Sequence, residues 1–367
     1  IRRQRQMCIR DRSNCDLVYV SLDVATDDHG HSHLGPLTDL IDLVWSHVRP
    51  DTTIVVLSQV PPGFTRRLDR RRHDAMNGPA AIYYQVETLI FGNAVQRALE
   101  PERYIVGCSD PAQPLPVPFS AVLKAFGCPI LPMRYESAEL AKISINCFLV
   151  SSVSTTNMLA EVCEKVGADW AEIVPALRLD ARIGPKAYLS AGLGIGGGNL
   201  GRDLETVRRM AGELGTDTRI IDAWRANSTY CRDWALRQLH RCVLDQRPDA
   251  SIAMWGLAYK PDTAFTKNSP ALALIEALPD RQVRAYDPAV RLGRSHVVDA
   301  ADPLSACRNA DVLLVMTPWR QFRNVPVDAV ATAMRGRTII DPYDALDRAR
   351  FISAGFEHHR LGAGVGY

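Results

Sequence analysis

Lys142 and Asn146 stand four residues apart in the segment from Glu136 to Val166. Within it Leu140, Ile143, Cys147 and Val150 recur at intervals of three and four, the spacing of a helix. A helix there projects Lys142 and Asn146 from one face, where both can converge on a single substrate oxygen. Periodicity alone would equally leave a Lys and an Asn on a solvated face. A second feature is the run GLGIGGG (192–198). Its N–H groups carry no side-chain bulk, so it can cradle a ligand, or it can serve as a hinge. Asp203 follows and suits the N-cap or first turn of a helix. Glu87 is a lone loop carboxylate, a kind ordinarily solvated.

The elements that must carry these residues fall into three regions. Residues 13–134 alternate strand and helix patterns: Cys15 to Leu22, a helix from about Leu37 to Val48, and strands at Thr53 to Leu57 and Tyr104 to Gly107. That alternation predicts βαβ units on a parallel sheet. Residues 135–243 read as mostly helix, with Gly167 a stop after the 136–166 segment and helices resuming near Asp203 and Asp217. Residues 244–367 return to α/β, with the apolar run SIAMWGLAY, a helix from Pro270 to Leu278, and strands at Val283 to Tyr286, Asp311 to Met316 and Thr338 to Ile340. The predicted fold is α/β, with two Rossmann-like parallel-sheet domains joined by a helical region. Residues 1–12, IRRQRQMCIRDR, carry five arginines and no apolar period; they resemble a vector scar and are set aside as non-native. No G-x-G-x-x-G turn precedes the Cys15 strand, so the first domain reads as incomplete at its N-terminus and is expected to hold a dinucleotide poorly.

Bulk properties narrow the classes of function. A net charge of +2 gives no reason to expect nucleic acid or an acidic membrane surface as partner. The nine cysteines are scattered singly with no C-x-x-C pair, which argues against a disulfide framework or a metal site and for a reduced, cytoplasmic protein. No apolar run approaches the length of a membrane span, and no secretory leader pattern is present.

Seven segments in order resemble the UDP-glucose/GDP-mannose dehydrogenase family from about residue 15 onward. LSQVPPGFTRRL (57–68) is similar to K-S-T-V-P-P-G-T-T, YYQVETLIFG (83–92) to N-P-E-F-L-R-E-G, and EPERYIVG (100–107) to N-P-D-R-V-V-I-G. ESAELAKISINCFL (136–149) is similar to E-x-A-E-L-x-K-x-x-x-N, and LDARIGPK (179–186) to D-x-R-I-G. GLGIGGGNLGRD (192–203) stands for G-x-G-x-G-G-x-C-F-P-K-D. WGLAYKPDTAFTKNSPAL (255–272) stands for G-L-x-F-K-x-x-T-D-D-x-R-x-S, with AYDP (285–288) after it.

The resemblance implies an NAD-dependent oxidoreductase acting on a UDP- or GDP-sugar. It makes Lys142 the cation that stabilises a developing alkoxide, Asn146 its hydrogen-bonding partner, Asp203 the acid that orders water, and Glu87 a base for thioester hydrolysis. It places Ser58, Gln59, Val60 and Pro61 beside the cofactor. It gives Gly194, Gly196, Gly197, Lys260 and Lys267 to the nucleotide sugar, with Arg182 reaching the sugar of a neighbouring subunit. A homodimer or higher homo-oligomer is expected through the 136–166 helix, with Val150 and Val153 at its interface.

The departures concern the second half of the family's four-electron chemistry. Asn199 stands where the family has its nucleophilic cysteine, and an amide forms no thiohemiacetal. Phe91 replaces a glutamate, Gln59 a threonine, Ala264 and Phe265 an Asp-Asp pair, Lys267 an arginine and Tyr343 another arginine. The expected reaction is a two-electron alcohol–carbonyl conversion. A nucleotide-sugar-binding pseudoenzyme or partner subunit is the alternative. An unrelated 3-hydroxyacid-type dehydrogenase would share the layout but leave the GLGIGGGNLGRD loop and the second α/β domain unexplained.

Overall fold

A computed structural model describes residues 15–27, 31–74, 80–87, 89 and 94–364, so the segment 1–12 and Phe91 lie outside the described residues. By contacts the chain divides into two compact units, residues 1–146 with 202–215 and residues 147–201 with 216–367. The stretch 135–243, which the sequence sets apart as a helical region, is thus divided between them.

The first unit runs β1 (Leu17–Val20), α1 (Gly35–Trp45), β2 (Thr53–Val56), α2 (Phe64–Asp74), β3 (Ala81–Gln85), α3 (Ala94–Leu99), β4 (Tyr104–Cys108), α4 (Val117–Lys124) and β5 (Ile130–Arg134). Its sheet has the order β1-β2-β3-β4-β5. The pairs are parallel except β3 with β4, which are antiparallel. In α1, Pro36 sits in the first turn, where its missing N–H costs nothing, and Leu37, Ile41 and Val44 form the buried stripe. Cutting Ile41, fully buried in the core, back to Ala would cost about 2–5 kcal/mol.

The long α5 (Tyr135–Val166) starts in this unit. Its first turn approaches β4 so closely that a Cβ on Gly107 would lie 3.1 Å from the Ala138 Cβ and 3.2 Å from the Tyr135 Cα, which is why β4 carries glycine there. The Tyr135 hydroxyl donates to the Ile82 carbonyl at 2.7 Å and fixes the helix start against β3. Two expectations for α5 are corrected. Leu140, counted in its apolar period, is exposed, and Val150, expected at a subunit interface, is fully buried within the chain itself. The helix is also long and apolar enough to cross a membrane by length and composition, although no uninterrupted apolar run is. Its buried Ala138, Ile143, Val150, Ala160 and Cys163 are those of a core helix.

After α5 come α6 (Trp170–Leu179), α7 (Asn199–Glu213), α8 (Arg219–Arg232) and α9 (Trp234–Leu239). Asp169 caps α6, its carboxylate accepting from the Ala171 N–H. The second unit's sheet is built from β6 (Ile252–Trp255), α10 (Pro270–Glu276), β7 (Val283–Tyr286), β8 (Val297–Asp299), α11 (Pro303–Cys307), β9 (Val312–Val315), α12 (Val327–Ala333), β10 (Thr338–Ile340), α13 (Arg348–Ser353) and β11 (Glu357–His359). All its pairs are parallel in the order β11-β10-β9-β6-β7-β8. The central β6 and β9 are buried along their whole length, so both faces are covered and their sequences run apolar rather than alternating. Strand order reverses at β6, and the carboxyl end of such a strand is where open α/β sheets take ligands.

Candidate active site

In the first unit α5, α7 and the loop after β2 bring one polar cluster together. Asp203, on the second turn of α7, is only 1% exposed and caps nothing, so the helix-cap role that its sequence position allowed is not the one it takes. Its Oδ2 accepts from Asn146 Nδ2 at 2.5 Å, and its Oδ1 accepts from Gln59 Nε2 at 2.5 Å and from Arg202 Nε at 3.2 Å. Arg202 Nη2 also donates to Gln59 Oε1 at 2.5 Å. The guanidinium therefore decides which way the Gln59 amide points: carbonyl to Arg202, NH2 to Asp203.

One turn before Asn146, half-buried Lys142 donates from Nζ to the Glu87 carbonyl oxygen at 2.7 Å. Burial lowers its pKa, against the opposing pull of the Glu87 and Asp203 charges. The Glu87 carboxylate accepts from the Leu89 N–H within its own loop.

The loop carrying Gln59 is held from α5. Buried Glu139 accepts from Gly63 N at 2.5 Å and Thr65 N at 2.8 Å, at the start of α2, where a carboxylate meets unpaired N–H groups and the positive end of the helix. Burial raises the Glu139 pKa, partly offset by these donors. Glu136 ties the same helix to α5 through Arg66. Ser58 Oγ donates to the Leu22 carbonyl at 2.6 Å, Val60 packs in the core, and Gln59, Pro61, Thr26 and Arg202 border a small cleft. Of the four expected cofactor contacts, Ser58 is tied to the Leu22 carbonyl, while Gln59, Val60 and Pro61 border the cleft, Val60 also packing in the core.

The second unit holds the other expected group. The run 192–198 is pinned by Gly192 N to Asn157 Oδ1 (2.8 Å), Ile195 N to Ser228 Oγ (2.8 Å) and Asn268 Nδ2 to the Gly197 carbonyl (2.8 Å). Gly194 and Gly197 have φ of +74° and +76°, and a Cβ would lie 2.4 Å from the Ser228 carbonyl oxygen and 2.7 Å from the Tyr259 ring respectively. The run is packed against Ser228 and Tyr259. Gly192, Gly194 and Gly197 match the spacing G-x-G-x-x-G, but no strand precedes them, so the context of a dinucleotide turn is missing.

Tyr259 and Lys260 project from the turn after β6. Buried Asp287 fixes that turn, accepting from Leu257 N (2.7 Å), Ala258 N (3.1 Å) and Trp319 Nε1 (3.1 Å). Lys260 Nζ lies 5.7 Å from the Tyr259 ring centre, and burial lowers its pKa. Lys267 runs beside Gly198, and Tyr343 packs on Gly192, burial pushing its phenol above the usual range. Asn199 is exposed at the first turn of α7. Arg182 is exposed and paired with Asp180 at 2.6 Å.

Sequence reasoning passed over three residues. Arg202 stands at the lysine position of the C-F-P-K-D motif, and Glu139 is the second glutamate of E-x-A-E-L, so both had a signal. Ser228 had none. Among the described residues no group of three His, Cys, Asp or Glu is placed to hold a metal, and Cys108, Cys128, Cys163, Cys231, Cys242 and Cys307 form no disulfide.

The sequence profile of the UDP-glucose/GDP-mannose dehydrogenase family, central domain, matches residues 136–229, and that of the family's UDP binding domain matches residues 253–348. The chain belongs to this family of nucleotide-sugar dehydrogenases. It is 26% identical to the UDP-glucose 6-dehydrogenase YwqF of Bacillus subtilis over 95% of its own length and 81% of that protein's. It is 26% identical to a UDP-glucose 6-dehydrogenase of Pseudomonas aeruginosa, again over 95% of this chain and 81% of the relative. Among solved structures, a UDP-glucose dehydrogenase from Pyrobaculum islandicum shares the fold with a TM-score of 0.81 at 24% identity, covering 97% of this chain and 82% of that one.

Proposed function

We propose that this chain is an NAD-dependent oxidoreductase taking the sugar alcohol of a UDP- or GDP-sugar to the carbonyl by two electrons. The observation that carries the reading is the presence of Lys142, Asn146 and Asp203 in the first unit, with Asn146 bonded to Asp203, in a sequence that has an amide rather than a thiol at position 199. An alcohol losing hydride and proton needs its developing negative charge stabilised and its oxygen held still. The Lys142 ammonium supplies the charge. Asn146 and Asp203, fixed by their mutual hydrogen bond, supply the hold. The hydroxyl proton leaves towards Asp203, whose carboxylate can accept it, while the Lys142 ammonium stays charged.

The family resemblance sets the reactive end of a dinucleotide beside Gln59, Val60 and Pro61, which border the small cleft with Thr26, and a nicotinamide bound there would supply the hydride acceptor. Among the described residues no strand, glycine turn and helix of dinucleotide type occurs to grip the cofactor's phosphates. The nucleotide sugar is assigned to the second unit: Gly194, Gly196 and Gly197 as a close backbone approach, Lys260 and Lys267 for phosphate charge, and Arg182 for the sugar of a second subunit. Asn199 equally suits a binding protein without turnover, and the same experiment separates the two.

The test offers the chain saturating NAD and a panel of UDP- and GDP-sugars, with NADH and product mass as readouts. A product two hydrogens lighter than substrate supports the reading. Free uronic acid contradicts it, and binding without product favours the pseudoenzyme.

The cytoplasm, a role in polysaccharide or glycosylated-metabolite synthesis, and a homodimer complete the proposal. Phe148, Leu159, Val162 and Val166 make an exposed apolar stripe on α5. Phe148→Asp is expected to halve the apparent mass in gel filtration; an unchanged elution volume would count against the dimer. Val150→Asp is no test of it, because burying a charge in the chain's own core unfolds the protein instead.

A further inference from the structure

An ionised carboxylate offers about four acceptor positions. On Asp203, Gln59 and Arg202 fill Oδ1 and Asn146 takes one position on Oδ2. About one position is left, on Oδ2 beside Asn146, and none on Oδ1. Gln59 cannot turn its amide aside, since that would set its NH2 against the Arg202 guanidinium. The neighbouring carboxylate offers no substitute, because Glu139 is fully buried with its oxygens turned to the Gly63 and Thr65 N–H groups and does not border the cleft.

We propose that Gln59, oriented by Arg202, is a positioning residue that takes the place on Asp203 that a hydrolytic water would need. The site then fails to release an acid even when it is given a nucleophile. This rests on the dehydrogenase reading above and adds to it a second, independent barrier beside Asn199. The chemistry separates the two barriers. A thiolate at position 199 adds to the aldehyde carbon to form a thiohemiacetal. Loss of hydride from that carbon to a second NAD, and of the hydroxyl proton to solvent, leaves a thioester. Water then adds to the thioester, the C–S bond breaks, and carboxylic acid and thiol separate. The first steps need only sulfur, whereas the last needs a water held against a base.

The experiment compares Asn199→Cys with Asn199→Cys/Gln59→Thr, each given UDP-sugar and NAD and followed by intact-protein mass and by released acid. The single variant is expected to stop as an acyl-protein carrying one sugar nucleotide, with acid release at least about 100-fold slower than acylation. The double variant is expected to turn over to acid with no adduct remaining. Steady acid from the single variant, or a double variant that stays acylated, overturns the proposal. If no protein reduces NAD, it is the dehydrogenase reading that fails. The role of Gln59 is then decided by high-resolution crystal structures of the parent and of Gln59→Thr. A water on Asp203 Oδ1 in the variant alone supports the proposal; a water there in the parent, or in neither, sinks it.

Discussion

Around Asp203 the backbone is ordinary and side chains carry the geometry; around Gly197 side chains are missing and the backbone carries it. The first cluster is a set of charged and amide groups bonded to one another, drawn from residues 59, 146, 202 and 203, with Lys142 one turn away on α5 and held by the Glu87 carbonyl. The second is a loop with two positive φ angles, pressed on Ser228 and Tyr259 where no Cβ fits. A polar cluster tolerates exchange at one position if the network can be re-satisfied, and its failures appear in chemistry. A glycine loop tolerates no added atom, and its failures appear in folding and binding.

The largest expected effect is on the first cluster. Lys142→Ala should lower kcat by about 100- to 1,000-fold, as removal of a preorganised charge at a developing oxyanion does. Stability should hold or rise, since a half-buried cation is removed. A variant that keeps its rate would dissolve the distinction between the two regions. The pH profile sharpens it. Burial holds the Lys142 pKa below its usual 10.5, so the cation is lost, and activity with it, as pH rises through that lowered value. Lys142→Arg should move this alkaline limb out of reach; a limb that stays put assigns it to another group.

Gly197→Ala should act oppositely. The added Cβ meets the Tyr259 ring at 2.7 Å in a left-handed backbone, a cost of about 1–3 kcal/mol in melting experiments and a weakened grip on UDP-sugar. Adding Tyr259→Ala should return part of the loss, leaving the backbone strain. A full return would mean that only the ring, and not φ, demands glycine.

Both regions were partly legible in the sequence, for different reasons. The four-residue spacing of Lys142 and Asn146 survives because a helix preserves local order, and motif order placed Asp203 beside them. Nothing local announces that Gln59 reaches across 144 residues to Asp203, or that Glu139 caps α2. The helix α2 itself escaped notice because FTRRLDRRRHD offers only Phe64 and Leu68 as buried apolar positions, too few for a period. Val150 shows the complementary limit. Periodicity identified an apolar face, but it does not say whether the chain or a second subunit covers it. The glycine run was visible as composition, yet its choice between hinge and cradle depended on Tyr259 and Ser228, distant in sequence.

The smallest expected effect is at Lys267, which lies exposed beside Gly198 where the family pattern has arginine. An ammonium meets a diphosphate as a point charge, whereas a guanidinium matches two oxygens at once. If the backbone of the loop supplies most of the grip, Lys267→Arg should tighten UDP-sugar binding by only a few-fold, about 1 kcal/mol, and Lys267→Ala should weaken it by a similar amount. Calorimetric titration with UDP-sugar in the absence of NAD reads both. A loss of more than about 100-fold on Lys267→Ala would mean that side-chain charge governs this region too, and the contrast with the Asp203 cluster would then be one of solvent exposure rather than of building material.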